Sequence, residues 1–207
     1  MNKKIVASLV SVICVCACTY ASSARAEDLN KIFENVNNFI TQKNYTKALE
    51  ELDWAKNEIG KMHVDALKGF FPDSLAGYNG GEVESSSALG MTNIERTYNG
   101  VVGQVKVSLV GGGKGGAMGG LAGLGRMAAM MGGQNGQESL RINGQTATLD
   151  TRSSRPELNV FLESGGILKV EGLKGFNKDN SSQLKSVAEA IKIAELNKYL
   201  SGAGAAS

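Results

Sequence analysis

The chain has 207 residues, with 22 basic against 20 acidic, 27 glycines, one histidine and three cysteines. A nearly balanced charge without a basic stripe excludes the electrostatic footprint of a nucleic-acid-binding protein. With one histidine, and cysteines only at 14, 16 and 18, the rest of the chain offers neither a His/Cys metal centre nor a disulfide framework.

Met1-Asn2-Lys3-Lys4 is a short cationic lead, Ile5–Tyr20 an uncharged apolar run, and Ala24-Arg25-Ala26 a small-x-small cleavage pattern. Together they predict an export signal over residues 1–26 and a mature chain beginning at Glu27. The apolar run falls short of the roughly 20 residues that span a membrane. The expected address is the bacterial periplasm. Val15-Cys16-Ala17-Cys18 also resembles a lipobox, so lipidation at Cys18 and anchoring to an envelope membrane is the alternative. Cleavage after Ala26 removes Lys3, Lys4 and Arg25, leaving 19 basic against 20 acidic residues, a net charge of −1 and no thiol.

Residues 27–68 read as a helical hairpin. Leu29, Ile32, Phe33, Val36, Phe39 and Ile40 recur at helical spacing. After a short break at Thr41–Asn44, Ala48, Leu49, Leu52, Ala55, Ile59 and Met62 fall on one face of a second helix. Asn44-Tyr45-Thr46-Lys47-Ala48-Leu49-Glu50-Glu51-Leu52 resembles the second half of a tetratricopeptide unit. No second copy follows, so the hairpin is expected as a prefix to the next domain, docking through Phe33, Phe39 and Leu52, and not as a peptide-binding array.

Residues 69–200 read as one α+β domain. Gly77–Gly81 is a turn cluster, and Asn93–Tyr98 and Gln104–Val110 are strands joined by Asn99-Gly100. Val105, Val107 and Leu109 alternate with Lys106 and Ser108. Asn143-Gly144 joins Ser139–Ile142 to Gln145–Thr151. Leu158, Val160 and Leu162 mark a further strand, which Ser164-Gly165-Gly166 turns into Ile167–Glu171. Ser181 or Ser182 caps a single final helix running from Leu184 to Leu200, and residues 201–207 form a disordered tail. The fold class is therefore α+β, an antiparallel sheet packed with helices and preceded by the helical hairpin. Phe71-Pro72-x-x-Leu75-x-Gly77-Tyr78, Arg96-x-Tyr98-x-Gly100 and Ile142-Asn143-Gly144-Gln145-x-Ala147 resemble a group of uncharacterised secreted bacterial proteins. More loosely, the domain looks like α+β sandwiches of the PsbP type. That resemblance implies an architecture and no chemistry.

The chemistry is sparse. His63, beside Met62 late in the second helix, reads as a helix-end or surface residue and not as a catalyst, because a general base needs an orienting partner and a nucleophile. Gly111-Gly112-Gly113-Lys114-Gly115-Gly116 satisfies a dinucleotide-loop pattern. However, the strand before it alternates where a central parallel strand is apolar on both faces, and Lys114 precedes Gly115 instead of a Walker Ser or Thr. The Gly/Met-rich segment 111–136 places Met118, Leu121, Leu124, Met127, Met130 and Met131 near helical spacing. Such a stripe is either a core helix or an adaptable surface for a partner, an apolar ligand or a membrane. The expectation is a non-catalytic envelope binding or assembly module that acts through protein contacts, without cofactor or metal. The alternative is a carrier of an apolar ligand or soft metal on the Met-rich helix and sheet face.

Overall fold

A computed structural model describes residues 28–88, 91–111 and 137–202. They form two compact units that divide between His63 and Val64.

The first unit is the hairpin. Helix α1 covers 28–41, and α2 (Tyr45–Lys68) starts after a three-residue break and runs on into the second unit. Lys43 takes a left-handed conformation at φ 58°, and Asn44 Oδ1 accepts from the Lys47 N–H at 3.4 Å to cap α2. Val36, Ala48 and Ala55 are the buried residues of this unit. The two alanines let the helices approach closely. Leu49, Leu52, Ile59 and Met62, expected to share that buried face, are exposed instead. The buried stripe is carried by the small residues; Leu49 sits one step round the helix, whereas Leu52, Ile59 and Met62 share the alanines' helical spacing and are exposed all the same.

The second unit is built on an eight-stranded sheet in which every pairing is antiparallel. Its strands are β1 (Ser74–Leu75), β2 (Tyr78–Ala88), β3 (Met91–Asn99), β4 (Gln104–Val110), β5 (Gln137–Ile142), β6 (Gln145–Asp150), β7 (Glu157–Phe161) and β8 (Ile167–Gly172). They lie in the order β1-β2-β3-β4-β8-β7-β6-β5, so two four-strand meanders meet where β4 pairs with β8. One face carries Ile94 and Tyr98 of β3, Val105, Val107 and Leu109 of β4, Leu168 and Val170 of β8, Leu158 and Val160 of β7, and Ala147 and Leu149 of β6. All are buried in one cluster with residues of the last two helices, α3 (Gln183–Glu189) and α4 (Ile193–Leu200). The other face carries a charge ladder. Lys106 lies 3.9 Å from Glu95 and 3.7 Å from Glu171, and Lys169 lies 2.6 Å from Glu157. This α+β arrangement is the expected class.

Several local expectations are corrected. β2 was not anticipated, because Glu82, Glu84 and Ser85–Ser87 give no apolar alternation beside the two-residue β1. The expected turn cluster at Gly77–Gly81 shrinks to Ala76-Gly77, both at positive φ, and Asn79–Gly81 already belong to β2. Asn99 stays in the ladder opposite Gln104, and the loop is the four residues Gly100–Gly103, closed by Gly100 N–H to Gly103 carbonyl at 2.9 Å. The single final helix is two helices, preceded by a 3₁₀ turn at Lys178–Asn180. Asn177 caps the 3₁₀ turn: its side chain accepts from Asp179 N–H, and Asn180 Oδ1 accepts from Asn177 N–H. Ser182 holds the N-cap position of α3, as expected, but makes no side-chain capping bond. The break at Ala190–Lys192 is held open by Asn143, whose amide donates to Glu189 and Ile191 carbonyls at 3.0 and 3.3 Å.

Candidate functional site

Residues 1–27, 89–90, 112–136 and 203–207 lie outside the described residues. That places the export signal, Cys18 and the candidate contacts Met118, Leu121, Leu124, Met127, Met130 and Met131 outside them, together with most of the glycine run and of the tail. The site is therefore sought in what the remaining sequence builds.

Within the sandwich unit, polar groups are spent on holding the fold. Arg96 is buried. Its guanidinium donates to the carbonyls of Gly81 at 2.7 Å and Phe71 at 2.6 Å, and to Asp73 Oδ1 at 2.6 Å. A Cβ at Gly80 would run into that guanidinium, and one at Gly100 would run into the Tyr78 ring. Tyr78 in turn donates its hydroxyl to Gln183 Oε1 at 2.8 Å. The first two sequence motifs thus meet in space as packing and turn residues, while the third lies at the β5–β6 turn, four strands from β3. Tyr98 is wholly buried with no hydrogen bond to its hydroxyl. Burial pushes its pKa up to about 12, partly opposed by the Arg96 cation.

A polar cleft of about 510 Å³ lies beside α4, lined by Gln145, Glu163, Ser164, Asn197, Lys198 and Ser201. Asn197 Oδ1 accepts long, 3.4 Å bonds from Ser164 N–H and Oγ–H, and Gln145 donates to Glu163 at 3.1 Å. The Asn197 bonds tie the β7–β8 turn to α4, and the Gln145 bond ties it to β6. Arg152 hydrogen-bonds Asp150 and holds its carboxyl below the usual range, but the pair is solvated. Partial burial lowers the His63 pKa, which leaves its imidazole neutral at physiological pH. Among the described residues no group of three or more His, Cys, Asp or Glu is placed to hold a metal ion. No helix among them is long and apolar enough to cross a membrane.

The hairpin is different. Of the nine large hydrophobics exposed among the described residues, eight lie between positions 33 and 62, and the ninth is Val101 in a sandwich loop. On α2, Tyr45, Leu49, Leu52, Lys56, Ile59 and His63 follow one another at spacings of four and three, the repeat of a helix-packing seam. On α1, Asn30, Phe33, Asn37 and Ile40 repeat the same spacing.

These two stripes share one side of the hairpin. Phe33 and Ile40 each follow an inward residue, Ile32 and Phe39, by one position, and Leu49 and Lys56 follow the buried Ala48 and Ala55 in the same way. One position is a rotation of about 100°. Because the two helices run in opposite directions, equal rotations about their axes reach the same side. Lys47, one position before Ala48, lies on the other side, with its ammonium 5.5 Å from the Phe39 ring centre. The result is a two-helix face on which Phe33, Ile40, Leu49, Leu52 and Ile59 are 42–63% exposed. Sequence reasoning found these residues through their period. It expected Phe33 and Leu52 to be covered, since a stripe facing a core and a stripe facing a partner have the same period.

No protein-family model matches the sequence, and no curated protein matches it. Among solved structures, a GTP-binding regulator from Thermotoga maritima is similar over 57% of this chain and 83% of its own, with 12% identity and a TM-score of 0.36. A likeness that slight carries no argument about fold or function.

Proposed function

We propose that this protein is a non-catalytic binding or assembly module of the cell envelope, acting through protein contacts made by its helical hairpin. The observation that supports this most is the concentration of exposed large hydrophobics on one hairpin face. Scattered apolar residues are ordinary on a surface, but a contiguous set on one face marks an interaction site. Covering a half-exposed Leu or Ile returns on the order of 1 kcal/mol. The five aliphatic and aromatic residues of this face therefore supply several kcal/mol toward association. The export signal read at residues 1–26 sets the compartment in which such a partner is met.

The double variant Leu49→Asp/Leu52→Asp tests the reading. Native electrophoresis of envelope extracts should show the wild type in an assembly larger than the monomer. The variant, with an unchanged helical circular-dichroism spectrum, should run as a monomer. A wild-type chain that runs alone, or an assembly the variant keeps, overturns the proposal.

A further inference from the structure

We infer that the element docking on the hairpin face is an amphipathic α-helix that brings a carboxylate to Lys56; this rests on the proposed contact role of the hairpin. Two parallel tracks of side chains, at alternating spacings of three and four on neighbouring antiparallel helices, enclose a groove whose geometry fits a third helix. A strand presents side chains every second residue and would match neither track.

Charge narrows the class of helix. Lys56 stands midway along the α2 track between Leu52 and Ile59, and among the described residues it makes no ion pair. Asp53, three positions before it, is the nearest acidic residue on that side of α2 and does not pair with it. A partner that covers the apolar neighbours must also cover this ammonium. Leaving a covered charge unpaired costs several kcal/mol. A helix carrying Asp or Glu at that level offsets the cost, whereas an apolar or basic helix is rejected. A second copy of the chain is disfavoured by the same count. It would bring two Lys56 ammoniums and the paired Asn30 and Asn37 side chains into one seam, with no acidic residue at any seam position of either helix.

The test uses the full mature chain in its native envelope. A carbodiimide joins an ammonium to a carboxylate in direct contact, and photoreactive residues placed at 45, 49, 52 and 59 report the neighbouring positions. The expected result is Lys56 joined to an Asp or Glu of a different protein, with photo-adducts on that partner at spacings of three and four. Lys56→Glu should lower the photo-adduct yield at least about tenfold, while Lys56→Arg retains it. Partner positions spaced by two, Lys56 joined to a peptide of this same chain, or a yield indifferent to Lys56→Glu each overturn the inference. An adduct at Leu49 with an indifferent Lys56→Glu leaves the contact role standing and removes the acidic helix. No adduct at any of the four positions removes both.

Discussion

Arg96 sits where the chain leaves α2 and enters the sheet, and its three hydrogen-bonding directions have unequal worth. The Phe71 carbonyl is a buried acceptor for the guanidinium and the Gly81 carbonyl a part-buried one, whereas the Asp73 side chain is 96% exposed. Arg96→Met should therefore cost about 3 kcal/mol or more, by stranding both acceptors. Asp73→Asn should cost under about 1 kcal/mol, because water screens that partner. Chemical denaturation of the two variants checks the ordering. Next to Arg96, the unpartnered Tyr98 hydroxyl is a cost the fold carries. Tyr98→Phe should raise stability by up to about 1–2 kcal/mol. Its pKa is raised in the folded state, so Tyr98 contributes stability that is complete below pH 10 and lost as pH climbs toward 12. Unfolding measured across that alkaline window should show a slope that Tyr98→Phe reduces.

At the level of elements, the turn Asn143-Gly144 serves two elements at once. Asn143 at φ 47° and Gly144 at φ 82° close the β5–β6 hairpin, while the Asn143 amide holds the carbonyls at the end of α3. Asn143→Gly should lose only the amide bonds, about 1 kcal/mol, and Asn143→Ala about 2 kcal/mol, since alanine resists the left-handed backbone. Thermal melts of the pair separate the two roles. This turn was legible from Asn-Gly chemistry alone, and β4 was legible to the residue because one face is buried and Lys106 marks the other. β2 was not legible, since a strand with Glu82, Glu84 and three serines owes its place to neighbours and not to its own pattern. The division of the last helix was equally hidden. Its cause is Asn143, some fifty positions earlier, and periodicity within Leu184–Leu200 carries no trace of it. The hairpin face was half legible: the positions were named, but exposure depends on what covers them, which a period does not encode.

Among the described residues of the molecule, eight of the nine large exposed hydrophobics belong to the first unit and the main packed core to the second. Export is the premise of the proposed role, and it predicts a mature species beginning at Glu27 with a net charge near −1. Intact-mass analysis of the exported protein checks this. A species beginning at Cys18 with added acyl mass would instead place the contact face at an envelope membrane. The joint between β4 and β8 has a kinetic consequence. Each meander pairs strands that are neighbours in the chain, but Val105 finds Gly172 only after everything between them has been gathered in. Closing so large a loop is paid before any ladder bond forms, so this seam sets the height of the folding barrier. In pulse-labelled refolding, amides of the β5–β6 hairpin should be protected first. Those shared by β4 and β8 should be protected only in the last phase, so the centre of the finished sheet is the last part of it to exist.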